Sequence, residues 1–141
     1  LQAGVLSAKL KHISKWTDHR IQWARRYDAA LKDCKSIVLP YNVPGYRHVY
    51  HLYEIEVKNP AKRDAMVKFL NENGVDAKTH YSIAIHKQEG FPWGKPFRIV
   101  DSVANAERNA ATCISLPMFP ELTAEQVDHV IAKVKEWDKK G

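Results

Sequence analysis

The apolar positions of the first quarter of the chain fall at helical intervals. Leu6, Leu10, Ile13 and Trp16, then Ala24, Tyr27 and Leu31, recur every three or four residues. They describe a stripe along one long helix, or along two helices bent near Thr17–Asp18. That segment ends before residues 36–47, where Pro40, Pro44 and Gly45 oppose regular structure. The period then changes to two. Residues 48–57, His-Val-Tyr-His-Leu-Tyr-Glu-Ile-Glu-Val, are rich in β-branched and aromatic side chains and predict a strand. Val49, His51, Tyr53, Ile55 and Val57 form its apolar face; His48, Tyr50, Leu52, Glu54 and Glu56 form a mixed one. Asn59-Pro60 reads as an N-cap followed by proline at the first helical position. Met66, Phe69 and Leu70 supply that helix with a buried stripe, and Gly74 is placed to end it. Val75 to Tyr81 predicts a second strand. From Ser82 to Val100 the chain carries Gly90, Pro92, Gly94 and Pro96 among aromatics. So long an irregular stretch inside one domain points to function. Asp101 or Ser102 caps a short helix reaching Ala111, and Cys113 to Leu116 predicts a third strand. Thr123-Ala124-Glu125-Gln126 is a capping box. It opens a final helix with Val127, Val130, Ile131, Val134 and Trp137 on one side.

The order helix, strand, helix, strand, helix, strand, helix predicts an α/β (α+β) domain with a small sheet backed by helices. Strand–helix–strand units usually give a parallel sheet; the irregular segment and the short third strand leave room for an antiparallel one. The mixed face bearing His48 and Tyr50 has no obvious covering element in this sequence.

Composition narrows the class. The chain has 141 residues, one domain's length. With 45% hydrophobic and 27% charged residues it is neither disordered nor a disulfide scaffold. No apolar run approaches a membrane span, and there is no signal-peptide core. Two cysteines make no framework, so a cytoplasmic setting is expected. The chain starts at Leu1 in a segment that already reads as helix, which suggests a fragment or a processed product. The net charge of +6 is uneven: residues 1–35 hold eight bases and three acids. Lys11, Lys15, Gln22 and Arg26 recur as the solvated face of an amphipathic helix would. A nucleic-acid module using Trp16, Trp23 and Tyr27 lacks any recognisable binding motif. A protein-interaction domain using the mixed sheet face is a further alternative.

The chemistry-bearing residues are few. There is no phosphate-cradling glycine loop, CxxC or HExxH. His48 and His51 sit three apart on a strand and point to opposite faces, and no acid or cysteine at ligand spacing joins His80 and His86, so no metal is expected. His51 reads as a core-edge histidine and Cys113 as a small buried hydrophobe. The cluster that stands out is His80-Tyr81 with His86, where a strand ends and the long loop begins. Imidazole and phenol groups there can hydrogen-bond hydroxyls and phosphates; the bland alternative is loop residues satisfied by backbone and water.

A series of short motifs adds to this. It runs from Gln2-Ala3 in the first helix through His48-Val49-Tyr50-His51-Leu52-Tyr53, Arg63-Asp64, Gly74-Val75 and His80-Tyr81. It continues with His86-Lys87-Gln88, Asn105-Ala106-Glu107-Arg108, Ser115-Leu116-Pro117 and Leu122-Thr123. In this order the motifs resemble the C-terminal part of the DegT/StrS-type sugar aminotransferases, which use pyridoxal phosphate to aminate nucleotide-linked keto sugars. The resemblance implies the small domain of an aspartate-aminotransferase-like fold. In that fold residues 1–35 form a linking helix, and residues 36–141 form a three-stranded antiparallel sheet with helices. It implies further that pyridoxal phosphate is held by a larger N-terminal domain absent from this sequence. The amino donor is then an amino acid, usually glutamate, and the intact enzyme is a homodimer binding neither nucleic acid nor membrane. No lysine here matches the Schiff-base position, so the segment alone is expected to be inactive. His80, Tyr81 and His86 match the family's His-Tyr pair and following histidine, implying contacts to the sugar and its phosphates. Where many members carry prolines between them, this chain has Ser82-Ile83-Ala84-Ile85.

Overall fold

A computed structural model describes residues 1–91, 96 and 98–140; Pro92 and Gly94 of the irregular segment lie outside them. Among the described residues five α-helices and three strands follow in the order α1 (Gln2–Leu10), α2 (Ile13–Leu31), β1 (Ile37–Val38), β2 (Tyr53–Val57), α3 (Arg63–Glu72), α4 (Ala104–Thr112), β3 (Cys113–Leu116) and α5 (Ala124–Lys140). Short 3-10 turns cover Pro60–Lys62 and Ile85–Lys87.

The sheet has the order β1-β2-β3 and both pairings are antiparallel. Tyr53 pairs with Leu116 and Ile55 with Ile114, so these four share one face. Against it pack Ala24, Tyr27 and Leu31 of α2, Met66 and Leu70 of α3, and Val127, Val130, Ile131 and Val134 of α5, all buried. The helical periodicity of those residues is therefore explained by one contiguous core. Local signals fix the helix ends. The Asn59 side chain accepts from the Ala61 amide at 3.1 Å, and Pro60 follows it. Gly74 takes φ +76°, which a side chain would resist, and Val75 then donates back to Leu70 O at 2.9 Å. The capping box forms in both directions: Thr123 N donates to Gln126 Oε1 (2.9 Å), and Gln126 N to Thr123 Oγ1 (3.3 Å). Asp138 of α5 accepts from Ser36 N (2.7 Å) and Ser36 Oγ (2.6 Å), tying the approach to β1 onto the last helix.

The structure departs from the sequence-based expectations at several points. The first helix breaks at Lys11–His12, not near Thr17–Asp18. Its first part buries nothing, and Leu6 and Leu10 are 66% and 68% exposed. The strand predicted from His48 begins at Tyr53. Tyr50 has φ +48° and its amide donates to His48 Nδ1 at 2.9 Å, so a local turn replaces the ladder. That turn sends the Tyr50 ring into the core beside Tyr53, with centroids 6.1 Å apart, and leaves His51 exposed. Val75 to Tyr81 contributes only a bridge, Lys78 with Ser115, and the sheet's remaining strand is Ile37–Val38, just ahead of Pro40.

The second sheet face carries Glu54, Glu56, Cys113 and Ser115, paired across β2 and β3. It is partly covered. Arg108 of α4 donates to Glu56 Oε2 at 3.1 Å, and Thr112 Oγ1 lies 3.4 Å from the same oxygen. An open groove of about 770 Å³ remains beside β1, lined by Val38, Tyr41, Glu54, Glu56 and Arg108. Among the described residues no helix is long and apolar enough to cross a membrane.

Candidate functional site

The site is assembled from β3, α4 and the chain between residues 78 and 88. The Lys78–Ser115 bridge sets the backbone: Lys78 N donates to Ser115 O (3.2 Å) and Ser115 N to Lys78 O (2.7 Å). Two residues later the His80 ring turns back so that Nδ1 meets Ser115 Oγ at 2.9 Å. Ser115 is buried, so this contact fixes the imidazole through one nitrogen and leaves Nε2 for another partner. Tyr81 stands out into solvent, 74% exposed, its ring edge-on to His80 at 5.7 Å. The expected pair is therefore brought together, one member held and one projecting.

His86 is placed differently. It lies in the Ile85–Lys87 turn, closed by Lys87 N to Ala84 O at 2.8 Å over the buried Ala84. Its Nε2 sits 3.1 Å from Glu107 Oε1, and Lys87 Nζ is 2.9 Å from the same oxygen. The Lys87 hydrogen bond first, and that of His86 second, hold the Glu107 carboxyl below the usual carboxylate range. Residue-by-residue reading did not assign roles to Ser115 or Glu107, although both lie in quoted motifs. The available signal was parity: Ser115 and Cys113 share a strand face, and a histidine beside that strand needs a polar partner.

Beneath this region Cys113 is fully buried, and burial pushes its thiol up to about 11, with Glu54 adding to the shift. Cys34 is partly exposed. In native buffer a chromogenic disulfide reagent is expected to label Cys34 alone, with Cys113 reacting only as fast as the chain unfolds. Peptide mapping of the labelled sites checks this, and two thiols reacting at comparable rates would contradict the burial.

Lys78 and Lys87, the lysines beside the pair, are both ion-paired, to Asp76 (2.9 Å) and Glu107, and open to solvent. Among the described residues no group of three or more histidine, cysteine or acidic side chains is placed to hold a metal ion. A separate cavity of about 720 Å³ lies between α2 and residues 42–50, with Arg25, Asp28, Asn42, Arg47 and His48 in its wall.

The DegT/DnrJ/EryC1/StrS aminotransferase family model matches residues 1–135. This chain is a member of that family. Family members among its relatives include the erythromycin biosynthesis sensory transduction protein EryC1 of Saccharopolyspora erythraea, 35% identical over 96% of this chain and 36% of its own length. The dTDP-3-amino-3,4,6-trideoxy-alpha-D-glucose transaminase of Streptomyces venezuelae is 31% identical over 97% of this chain and 35% of its own length. The crystal structure of S. venezuelae DesV, in complex with a ketimine intermediate, superposes with a TM-score of 0.87 at 31% identity, covering 98% of this chain and 36% of that one. A DegT-family aminotransferase structure from Brucella abortus gives 0.85 at 28% identity, over 97% of this chain and 35% of its own. The chain thus spans about a third of the relatives it matches. It corresponds to their C-terminal part, the small-domain end of an aspartate-aminotransferase-like fold.

Proposed function

We infer that this chain is the substrate-cleft part of a pyridoxal-phosphate-dependent aminotransferase that moves an amino group from an amino acid, glutamate by preference, to a nucleotide-linked keto sugar. The observation that carries this reading is the His80–Tyr81 pair. One imidazole nitrogen is fixed on a buried serine, and an exposed phenol stands beside it at the rim of the sheet. Such a pair presents donors and acceptors to hydroxyls and phosphates from a rigid base. The names of the relatives point to the same substrate class: several are transaminases of dTDP- or UDP-linked sugars.

In this reading residues 1–35 link to a cofactor-bearing domain and residues 36–141 form the small domain. The bare apolar residues Leu6 and Leu10 of α1 and Ile13 at the start of α2 support docking on that domain, because contiguous exposed apolar surface marks an interaction site. The intact enzyme is a cytoplasmic homodimer. When bound, the cofactor supplies the electron sink for amino transfer. The site residues of this chain do not fit the role of covalent cofactor holder, since Lys78 and Lys87 are solvent-facing and paired to carboxylates. What this chain contributes is orientation of the sugar and exclusion of water around it.

Borohydride reduction of the chain in the presence of pyridoxal phosphate is expected to leave no stoichiometric adduct at any single lysine, read by peptide mass. Such an adduct at one lysine would place the cofactor on this chain and overturn the division of labour.

A further inference from the structure

The loop that carries Tyr81 and His86 is held at two points. At its start His80 is fixed on Ser115 of β3; at its end His86 and Lys87 both reach one oxygen of Glu107 on α4. Between them Ala84 is the residue that is buried. Tyr81, Ile83 and Ile85 are exposed, and no proline restricts φ from Ser82 to Ile85. The Ile85–Lys87 turn is closed by local bonds. By contrast, α4 is well tied to the sheet. Arg108, the residue after Glu107, bonds Glu56 of β2 and also Asn105, while Thr112 Oγ1 donates to Arg108 O at 2.7 Å. Glu107 is therefore a fixed point facing a weakly held segment.

The chemistry of the contact settles one proton. A carboxylate only accepts, and the Lys87 ammonium only donates, so the hydrogen between His86 Nε2 and Glu107 Oε1 belongs to the ring. A neutral His86 then has its lone pair on Nδ1.

Building on the substrate-cleft reading above, we propose that Glu107 is the positioning residue of this loop. It fixes His86 as the Nε2–H tautomer, so that the neutral ring offers Nδ1 as acceptor to a hydroxyl of the bound sugar, and it pins Lys87 alongside. Glu107 touches no substrate itself; it acts through His86.

Two variants test this. Glu107→Ala removes the acceptor in a helix that alanine favours; Glu107→Gln keeps an acceptor oxygen and loses the charge. Long-range ¹⁵N–¹H spectra of the ¹⁵N-histidine-labelled chain at about pH 8, where an ordinary histidine is neutral, report the tautomer. The parent and Glu107→Gln show His86 as Nε2–H, whereas Glu107→Ala shows mixed tautomers. Hydrogen exchange of the Lys87 and Gln88 amides becomes severalfold faster in Glu107→Ala while the β2–β3 ladder is unchanged. Retention of the Nε2–H form and of amide protection in Glu107→Ala overturns the proposal. Should Glu107→Ala fail to fold, loss of the Nε2–H form in a folded Glu107→Gln overturns it equally. In the assembled aminotransferase containing this chain, Glu107→Ala raises KM for the keto sugar severalfold and leaves the amino-donor half-reaction unmoved. A lost tautomer with an unmoved sugar KM would overturn the substrate-cleft reading and leave the Glu107–His86 geometry standing.

Discussion

Tyr53→Ala is expected to cost about 3–5 kcal/mol of folding stability, as large aromatic-to-alanine changes in a core do. That is a large share of the roughly 5–15 kcal/mol by which a domain is stable. The residue is fully buried at the start of the sheet's central strand. Its ring lies between Tyr27, 4.8 Å away, and Tyr50, 6.1 Å away, and its hydroxyl donates to Asp28 Oδ1 at 2.7 Å. Removing it opens a void in the buried cluster that Tyr53 shares with Ala24, Tyr27 and Leu31 of α2 and with the core residues of α3 and α5. Tyr53→Phe separates the two contributions: the ring stays, and only the hydroxyl bond is lost, at about 1–2 kcal/mol. Burial, and after it the bond to Asp28, hold the Tyr53 phenol far above its ordinary value. A folded-state pKa raised in this way gives stability that is complete below the unfolded value near 10 and declines as pH rises past it. Alkaline unfolding of the Phe variant should therefore begin later than in the parent. Urea titrations followed by tryptophan fluorescence, at neutral and alkaline pH, measure both effects. Equal midpoints for Tyr53→Ala and the parent would contradict the packing described.

The same aromatic group shows how far the sequence could be read. Alternation from His48 to Val57 correctly marked Tyr53, Ile55 and Val57 as a buried face, because burial in a sheet imposes a period of two. It extended the strand too far, because nothing in the residue types announces that the Tyr50 amide prefers His48 Nδ1 to a neighbouring strand. Prolines misled in the other direction. Pro40 and Pro44 argued against structure in residues 36–47, yet Ile37 and Val38 pair with Val57 and Glu56 just upstream of them. A two-residue strand is decided by its partner and leaves no periodic trace. Most helix ends were legible from local signals: Asn59 with Pro60, Gly74, and Thr123 with Gln126 act as written, whereas the cap expected at Asp101 or Ser102 does not, α4 starting at Ala104 behind Val103 without a side-chain cap. The break at Lys11–His12 carried no such mark. The antiparallel arrangement came from the resemblance, since residue order alone left the sheet open. At the site, His80, Tyr81 and His86 were visible as residue types at a strand end, but their partners were not. Ser115 and Glu107 lie 35 and 21 residues away along the chain, a separation only tertiary structure closes.

On the proposed function, in the full-length protein that contains this chain, His80→Ala is expected to raise KM for a nucleotide-linked sugar by about 10–150-fold, the value of one hydrogen bond to a charged phosphate, about 1.5–3 kcal/mol. The reasoning starts from Ser115. Because its buried hydroxyl takes Nδ1, the His80 ring cannot swing freely, and Nε2 is presented in one orientation without an ordering cost at binding. Ser115→Ala should therefore show the same defect in weaker form, acting through His80 and not through the substrate. The proposed amino-acid donor carries no nucleotide, so on that reading its half-reaction should proceed at the parent rate in both variants. Stopped-flow measurement of the two half-reactions separates these outcomes. An equal loss in both would mean that His80 supports the cofactor-bearing domain, and no loss in either would remove His80 from the cleft. A loss confined to the sugar side, graded from His80→Ala to Ser115→Ala, is the pattern that the proposed phosphate contact of a histidine braced on Ser115 must produce.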